Sequence, residues 1–401
     1  MSLNGSSVVI MASNRTPIGA FQGGMKSLTA TNLGAEAIKG LMKKVTHNNF
    51  SIDDVILGCV IQAGLGQAPA RQAVLKAGLS HSISATTINK VCGSGMRSVM
   101  YGVDQIQSGH SVSVIAGGME SMSNAPYLLP KARSGLRMGH GQVVDSLFFD
   151  GLEDACGDNL PSPRTLMGAF AEATAEKYNL SRAMQEEFVI ETFEKYHQNI
   201  HHHQKEITPI TFDSGYGVMV TINQDEPPQK VIVNKFSSLR PVFKKEGTVT
   251  AATSSSLADG AAALLLMHEA HAKKQELPIQ AHIIGTAQYA HAPEWFTTAP
   301  VGAIKNLLSK IGWNINSVDL FEINEAFAVV PMVAMQELSI PRDKINVFGG
   351  ACTIGHPIGC SGTRIIVTLI NALRCKNLKR GIAAVCIGGG EALALAIEVN
   401  G

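Results

Sequence analysis

Cys92 is the first of three side chains in this sequence that could move acyl groups or protons. It is followed by Gly93-Ser94-Gly95 and then by a helix-like pattern. A thiol at the N-terminus of a helix lies near unpaired N–H groups and the positive end of the helix dipole, which favour the thiolate. A thiolate there is a nucleophile, and its own backbone N–H can face a developing oxyanion. The alternative is a small buried cysteine without chemistry.

His356 and Cys386 are the other two side chains. His356 lies in Gly355-His356-Pro357-Ile358-Gly359, which places the imidazole on a rigid turn and not on a helix face. A fixed neutral histidine suits a general base for a nearby thiol, although a loop histidine bonded to the backbone would give the same pattern. Cys386 ends a strand-like run just before Gly388-Gly389-Gly390, and α/β folds place ligands beyond strand ends. An inert core thiol is its alternative.

Two groups of residues have spacings that suggest metal ligands. Cys352, His356 and Cys360 form C-x3-H-x3-C, but glycines and a proline break any helix that would align them, and no fourth ligand is spaced to match. The second group is a histidine cluster made of His197, His201, His202 and His203. Gln, Asn, Lys and Glu surround it, which indicates a solvated helix face. We therefore expect no metal site.

The segment Gly64–Ala70 matches G-x-G-x-x-A after a strand, a pattern typical of nicotinamide-dependent oxidoreductases. The dinucleotide fold also needs an acidic residue about 20 positions further on to bind the ribose. No Asp or Glu occurs between Gly66 and Asp104, so this class of enzyme is excluded.

The elements that would position these residues alternate between strands and helices, which predicts an α/β fold. Val55–Val60 and Val112–Ala116 are strand-like, and apolar residues recur at helical spacing from Met96 to Ile106 before a stop at Gly109. The C-terminal third repeats this order, with a strand, a helix and a strand predicted at Val318–Ile323, Gly362–Leu373 and Ile382–Ile387. The repetition indicates a weak internal duplication.

The middle of the chain, from Ser121 to about Ser256, is richer in charge, histidine and proline than the two ends. It contains two helix-like segments, Leu166–Tyr178 and Arg182 to about His197. This composition indicates an insertion between two halves that covers a site. Its basic residues suit a ligand with several phosphates, with a solvated surface as the alternative.

The bulk composition excludes several classes of protein. The 33 Lys and Arg balance 32 Asp and Glu, so nothing indicates binding to nucleic acid or to an acidic membrane surface. The longest apolar run, near Ala261–Met267, is far shorter than the roughly 18 residues of a membrane span, and Met1–Ile10 lacks a signal-peptide pattern. Seven cysteines in a long chain, an odd count, favour a reducing compartment. We expect a soluble cytoplasmic protein with no nucleic-acid or membrane partner.

Seven motifs, in one order, resemble those of the thiolase family. They are Arg15–Phe21, Gly66–Gln72, Asn89–Met96, Gly117–Ser123, Asn324–Phe327, Gly355–Gly359 and Cys386–Gly390. The resemblance implies a five-layered α-β-α-β-α fold of two duplicated halves with an inserted loop domain that binds coenzyme A (CoA). On this basis we expect the N-terminal half at residues 1–121, continued by about 257–279, the loop domain at 122–256 and the C-terminal half at 280–401.

The resemblance also implies roles for the residues of the site. Cys92 would take the acyl group, His356 would activate Cys92, and Cys386 would exchange the substrate's α-proton. Asn324 would hold a water that forms one oxyanion hole with His356, and the N–H groups of Cys92 and Gly388 would form the other. The implied reaction is the reversible Claisen condensation of two acetyl-CoA to acetoacetyl-CoA and CoA, through an acetyl-cysteine enzyme.

Binding of the substrates is the next implication. Ser255 matches a serine that contacts pantetheine, and Met167 and Lys230 are further candidates for contacts with CoA. Acetyl-CoA, acetoacetyl-CoA and CoA are expected as substrates and products, with no separate cofactor. Family members are usually dimers or tetramers, so we expect a homotetramer or a homodimer.

Four positions depart from the family pattern. Leu166 stands where short-chain members usually carry His, Gln229 where an arginine that meets the nucleotide end of CoA is common, and Phe348 where Asn or His is more usual. These three bear on acyl-chain length and CoA binding. Glu391 follows the triple glycine where an uncharged residue is usual, and it would disfavour a Cys386 thiolate if it faced the site.

Three other functions remain open at this point. A 3-ketoacyl-CoA thiolase of broader or longer chain length would carry the same motifs. A condensing enzyme that elongates with malonyl thioesters would more often pair its cysteine with two His, or with His and Asn, and would lack the second Cys in C-x-G-G-G. A catalytically degenerate CoA-binding protein is disfavoured because all four catalytic side chains are present.

Overall fold

The computed structural model of the protein describes residues 7–45, 50–154, 165–215 and 217–400. The strands in these ranges are β1 (Val8–Arg15), β2 (Gly19–Ala20), β3 (Asp54–Gly58), β4 (Ser84–Ile88), β5 (Ser113–Ser121), β6 (Tyr127–Leu128), β7 (Val144–Asp145), β8 (Ile210–Asp213), β9 (Met219–Ile222), β10 (Ala258–His268), β11 (Ala281–Ala290), β12 (Leu320–Ile323), β13 (Arg380–Ile387) and β14 (Glu391–Glu398). The α-helices are α1 (Ala30–Lys43), α2 (Pro69–Lys76), α3 (Ser94–Gln107), α4 (Ser146–Gly151), α5 (Met167–Lys177), α6 (Arg182–Gln198), α7 (Ile200–Glu206), α8 (Pro227–Lys230), α9 (Glu269–Lys274), α10 (Ala299–Ile311), α11 (Val329–Leu338), α12 (Ala351–Ile354) and α13 (Ile358–Cys375). None of these helices is both long enough and apolar enough to span a membrane.

A ten-stranded sheet runs through the molecule in the order β12-β13-β14-β11-β1-β10-β5-β3-β4, with β2 paired to β10. Its two parts join where the first residues of β1 pair with β11, beginning with Val8 opposite Ile283. In the N-terminal part β3 lies parallel to β4 and β5, and β10 is antiparallel to β5. In the C-terminal part β12 is parallel to β13, β14 is antiparallel to β13, and Phe321 of β12 forms a parallel bridge with Ile345. That bridge corresponds to the β3–β4 pair, so the predicted duplication is present.

Helices α3 and α13 form the middle layer of the fold. Helix α3 packs on β3 and β5, α13 packs on β12 and β13, and the two helices pack on each other. Their apolar faces share one core with both parts of the sheet, in which Val99 of α3 and Ile366 of α13 are fully buried. Helices α1 and α2 cover the outer face of the N-terminal part, and α10 and α11 cover that of the C-terminal part, over cores of their own. The order helix, sheet, helix, sheet, helix confirms the predicted five-layered fold.

Two glycines set the distance between α3 and α13. A Cβ on Gly95 would lie 2.8 Å from the backbone nitrogen of Thr363, and a Cβ on Gly362 would lie 2.4 Å from the backbone nitrogen of Met96. Contacts this short with backbone atoms cannot be relieved by rotating a side chain, so neither position accepts a larger residue without moving a helix. The first turns of the two helices therefore touch, and the residues that precede them are brought to one place.

Glycines also explain why two predicted elements are longer than the sequence patterns indicated. Helix α13 begins at Ile358 and includes Gly359, whose Cβ would lie 2.7 Å from the Met119 carbonyl oxygen. Strand β5 does not end at its two glycines but runs through them, and a Cβ on Gly118 would lie 2.0 Å from the Gly359 carbonyl oxygen. These glycines mark close backbone approach and not the ends of elements.

The solvated helix face predicted for the histidine cluster is wrong for His203. Helix α6 ends at Gln198 and α7 begins at Ile200, so the four histidines do not lie on one helix. His203 is buried, and its Nε2 lies 2.7 Å from the Phe348 carbonyl oxygen. It packs beside the fully buried Arg15, whose guanidinium forms ion pairs with Glu206 and Asp225. This buried network draws α7 inward.

Candidate active site

Cys92 lies in the turn that begins α3, as the sequence predicts. The helix starts at Ser94 with Gly93 as its N-cap. Ser94 holds the turn, because its Oγ donates to the Val91 carbonyl oxygen at 2.7 Å and accepts from the Lys90 N–H at 2.8 Å. Val91 has a φ of 47°, a left-handed conformation that is rare for a β-branched residue. The turn is therefore held in an unfavourable conformation that keeps the thiol at the helix N-terminus.

The pKa of the Cys92 thiol is set by burial and by hydrogen bonding, which act in opposite directions. Burial raises this pKa to about 11, although hydrogen bonds from the backbone N–H groups of Gly388 and of Cys92 itself oppose the shift and the nearby Glu120 adds to it. The resting sulfur is therefore a thiol at neutral pH and needs a base to become a nucleophile. The two N–H groups that face the sulfur are also able to stabilise an oxyanion beside it.

His356 is buried on the turn before α13. Its backbone N–H donates to the Ser256 carbonyl oxygen at 3.0 Å, which fixes the turn. The ring nitrogen Nδ1 lies 2.6 Å from Ser361 Oγ, and Nε2 lies 3.5 Å from Asn324 Nδ2. Burial, and then the guanidinium of Arg364, lower the pKa of His356 to about 3. The imidazole is therefore neutral at physiological pH and can accept a proton.

Asn324 and Cys386 lie at the carboxyl ends of neighbouring strands. Asn324 directly follows β12, and its N–H donates to the Ala384 carbonyl oxygen of β13 at 3.0 Å. Cys386 is the last residue but one of β13 and is fully buried. Burial, and then the neighbouring Cys92, raise the pKa of the Cys386 thiol well above its ordinary value. The structure thus brings both cysteines, the histidine and the asparagine to one place.

A cavity of about 560 Å³ opens onto this group of residues. Cys92, His356 and Gly388 line it, together with Met167 and Ser255 from the residues predicted to bind CoA. A Cβ on Gly388 would lie 3.5 Å from the Met167 methyl carbon, so this methionine covers the turn that carries the Gly388 N–H. The cavity can hold a substrate with one end at the Cys92 sulfur.

Lys230, the third residue predicted to bind CoA, lines a second cavity of about 330 Å³. The two cavities share one stretch of wall, formed by Ala251, Ser254, Ser256 and Leu257. The neighbouring Gln229 lines neither cavity, and its Nε2 donates to the Asp225 carbonyl oxygen at 2.9 Å. Lys230 and Cys92 therefore line different cavities that share a wall.

The remaining departures from the family pattern have different surroundings. Leu166 lines the first cavity. Phe348 lines neither cavity; it is buried and stacks on His202 with ring centroids 4.8 Å apart. Glu391 forms an ion pair with Lys90, so its charge is offset on the turn that carries Cys92. Of these three, only Leu166 is placed to touch a substrate.

Three buried polar residues around the site were missed in the sequence. Glu120 accepts from the Gly359 N–H at 2.9 Å, and burial raises its pKa to about 7. Ser361 and Arg364 lie three positions apart on α13 and bond to His356 and to the neighbouring asparagine. The available signal was the spacing of three positions between a serine and an arginine in the mostly apolar first half of the helix.

The C-x3-H-x3-C residues do not form a metal centre. Cys352 Sγ donates to the Glu325 carbonyl oxygen at 3.7 Å, away from the imidazole of His356. In the parts of the chain that the structure describes, no group of three or more His, Cys, Asp or Glu side chains is placed to hold a metal ion.

Known families and structures match this arrangement along nearly the whole chain. Residues 8–270 match the thiolase N-terminal domain, and residues 277–399 match the thiolase C-terminal domain. The chain belongs to the thiolase family. The acetyl-CoA acetyltransferase of Saccharomyces cerevisiae is 45% identical to this thiolase over 98% of both chains.

Two solved structures share the fold of this thiolase. The acetyl-CoA acetyltransferase of Bacillus anthracis superposes with a TM-score of 0.94 at 37% identity, over 98% of this chain and 99% of that one. A thiolase from Ascaris suum, solved in complex with coenzyme A, superposes with a TM-score of 0.91 at 37% identity, over 98% of this chain and 100% of that one.

The raised pKa of the Cys92 thiol gives this thiolase a measurable pH dependence. Below its pKa a thiol gains thiolate about tenfold per pH unit, and an ordinary thiol levels off near its pKa of about 8.5. Alkylation of Cys92 by iodoacetamide should therefore still rise by about that factor per unit between roughly pH 8 and 10. Peptide mapping at each pH, with Cys375 as an internal, partly exposed control thiol, gives the two rates. A plateau that begins at or below about pH 7 would instead indicate a preformed thiolate–imidazolium pair.

Proposed function

We propose that this thiolase is an acetyl-CoA C-acetyltransferase, which catalyses the reversible condensation of two acetyl-CoA to acetoacetyl-CoA and CoA by a ping-pong reaction. The observation that carries the proposal is a single cavity lined by the Cys92 thiol, which two backbone N–H groups face, and by the neutral imidazole of His356. The names of full-length relatives, such as the acetyl-CoA acetyltransferase of Saccharomyces cerevisiae, support the same activity.

In the first half-reaction the Cys92 sulfur attacks the thioester carbon of acetyl-CoA. His356 Nε2 takes the thiol proton, because the imidazole is neutral and lines the cavity. The thioester oxygen gains negative charge and lies between the N–H groups of Cys92 and Gly388. When the tetrahedral intermediate collapses, the bond to the CoA sulfur breaks and the departing CoA takes the proton of the Cys386 thiol. Acetyl-Cys92, a Cys386 thiolate and a protonated His356 remain.

In the second half-reaction a new acetyl-CoA loses an α-proton to the Cys386 thiolate, which becomes a thiol again. The resulting enolate oxygen is stabilised by His356 and by a water held on Asn324, the two groups whose side chains lie 3.5 Å apart. The enolate carbon attacks the acetyl carbon on Cys92, and the Cys92 sulfur then leaves with the proton that His356 returns. Acetoacetyl-CoA is released.

For binding, we propose that CoA runs from the first cavity into the second. Ser255 and Met167 contact the pantetheine arm in the first cavity, and the Lys230 ammonium meets a phosphate group in the second. CoA and its thioesters are substrates and products, and the proposed chemistry uses no separate cofactor.

We further propose that the protein acts in the cytoplasm as a homotetramer or homodimer. Six cysteines in the described ranges are free thiols, which favours a reducing compartment. Strand β4 forms one end of the large sheet and has partly exposed residues throughout, so a second copy could pair with it. Sedimentation equilibrium distinguishes the monomer from either assembly.

The reaction is tested by mixing the enzyme with acetoacetyl-CoA and free CoA and following the loss of the acetoacetyl-CoA enolate absorbance. Intact-protein mass after incubation with acetyl-CoA should increase by one acetyl group, located by peptide mapping on Cys92. A protein that binds CoA but shows neither change would be a catalytically degenerate CoA-binding protein and not a thiolase in function.

Chain length gives a second test of the proposed substrate. We expect kcat/KM to be highest for four-carbon 3-ketoacyl-CoA and to fall at eight or more carbons. The reason is that Cys92 packs against a cluster of buried apolar residues that includes Met122, Leu147 and Ile358, which would have to be displaced by a longer chain that entered on this side. A rate series from four to sixteen carbons measures this.

A matched pair of variants shows whether that cluster sets the limit. Met122→Ala, which enlarges the cavity at Cys92, should raise the relative kcat/KM for longer chains, whereas Met267→Ala, an equally buried change in β10 that does not line the cavity, should not. A wild-type preference for eight carbons or more would show a 3-ketoacyl-CoA thiolase of longer chain length, with Leu166 as part of the apolar wall.

A further inference from the structure

Arg364 is a buried cation whose side chain is bonded to the active site. It lies on α13, is 1% exposed, and donates from Nη2 to Asn324 Oδ1 at 3.1 Å. Its Nη1 lies 4.0 Å from Glu322 Oε2, and among the described residues its Nε and Nη1 have no hydrogen-bond partner. A guanidinium is costly to bury, and here its hydrogen bonding in the described part of the chain is confined to one amide oxygen.

The bond from Arg364 decides which way the Asn324 amide points. A guanidinium has donors and no acceptor, so the asparagine atom that faces Arg364 must be the oxygen. The amide nitrogen Nδ2 then faces His356 Nε2, 3.5 Å away. The donors of Arg364 therefore determine which end of the Asn324 amide is oxygen and which is nitrogen.

The same reasoning extends to the proton on His356. Because Asn324 Nδ2 is a donor, Nε2 of the neutral imidazole is the acceptor, and the ring proton lies on Nδ1. Nδ1–H then donates to Ser361 Oγ at 2.6 Å, and the Ser361 hydroxyl donates to the Pro357 carbonyl oxygen at 3.1 Å. All the hydrogen bonds run in one direction, from Arg364 to Pro357.

We infer that Arg364 is a positioning residue that orients the Asn324 amide and thereby keeps the Nε2 lone pair of His356 available as the base. The inference rests on the proposed function and adds to it a residue that touches neither substrate nor reacting atoms. Without the Arg364 donor, the amide can rotate and bring Oδ1 toward Nε2, which favours the tautomer with its proton on Nε2. The amide would then also present an acceptor where the enolate site needs a donor.

The loss should be uneven between the two half-reactions. Both half-reactions use the Nε2 lone pair of His356, and a neutral imidazole can return to the required tautomer before acetyl transfer. Only condensation also needs the Asn324 donor at the enolate site, because acetyl transfer places its oxyanion at the N–H groups of Cys92 and Gly388. We expect Arg364→Met to lower the kcat of condensation by about 10²-fold, near the effect of losing one donor at an oxyanion site, with KM changed by less than about twofold. Acetylation of Cys92, followed by intact-protein mass, should slow by less than about tenfold.

Two further measurements separate positioning from a structural role. In an Asn324→Ala background, adding Arg364→Met should cost less than about twofold more, because the group that it orients is already absent. Arg364→Lys should recover part of the condensation rate, since an ammonium can also donate to Oδ1. If the methionine variant does not fold, the rates of acetylation and condensation are compared in the lysine variant. Arg15→Lys is the matched control: Arg15 is fully buried but bonds to Glu206 and Asp225, so any loss should be equal in both half-reactions.

The outcomes are distinct. Equal losses of acetylation and condensation in the Arg364 variants, or independent effects of Arg364 and Asn324 in the double variant, would overturn the inference. A wild-type enzyme that fails to acetylate Cys92 would instead overturn the proposed function.

Discussion

Replacing Cys386 by Ala is expected to leave a protein that accepts an acetyl group on Cys92 but no longer condenses it with a second acetyl-CoA. Acetylation breaks no C–H bond, and the Cys92 thiol, the neutral His356 and the two N–H groups all remain. Because Cys386 no longer protonates the departing CoA thiolate, acetylation should slow without disappearing. Condensation also needs an α-proton removed, and the loss of a proton-transfer group costs on the order of 10²–10⁴ in rate. Intact-protein mass with acetyl-CoA, beside a condensation assay, measures both steps.

Two other cysteine variants make this result interpretable. Cys92→Ala should abolish both the acetyl-enzyme and the product. Cys360→Ala removes a thiol that is as deeply buried as Cys386 but lies within α13, and it should change neither step strongly. A Cys386→Ala enzyme that condenses at near the wild-type rate would show that another group is the base. Failure of that variant to acetylate at all would show that the two roles cannot be separated.

Replacing Gly362 by Ala is expected to damage both stability and activity, although alanine is the better helix former. The added Cβ would lie 2.4 Å from the Met96 backbone nitrogen, so α13 must move away from α3. Overpacking of this kind costs typically about 1–3 kcal/mol and exceeds the roughly 1 kcal/mol that alanine gains over glycine within a helix. The shift separates His356 from Cys92, and a misplacement of about 1 Å can cost on the order of 10²-fold in rate.

Gly102→Ala in α3 is the matched control for this change. A Cβ at Gly102 would meet only side-chain atoms, the nearest being Leu266 Cδ1 at 2.8 Å, and that methyl group can rotate. Its effect on urea unfolding and on the condensation rate should therefore be much smaller than that of Gly362→Ala. Equal effects of the two substitutions would mean that the helix crossing does not control the site.

The residues that begin helices or end strands were the part of the site that the sequence could reveal. Cys92, His356 and Cys386 lie beside glycines, and glycine-rich turns can be recognised in a sequence without knowledge of the structure. The family motifs then added Asn324 and Gly388, which have little individual signal.

The rest of the site depended on contacts between residues far apart in the chain. Arg364 bonds to a residue 40 positions away, and Glu120 to Gly359 across 239 positions. No local pattern reports such pairs. The glycines of β5 and α13 were taken as ends of elements because turns are the commoner use of glycine, whereas here they allow two backbones to touch.

Cys92 and His356 occupy equivalent places in the two halves, each on the turn before a central helix. In a symmetric pair of identical short chains, each the size of one half, both places would carry the same residue on either side of a two-fold axis. In such an assembly a thiol would lie opposite a thiol, or an imidazole opposite an imidazole, and no nucleophile would lie beside a base. Covalent fusion of the two copies lets their equivalent positions differ, so the broken symmetry at the helix crossing is itself a condition for the chemistry.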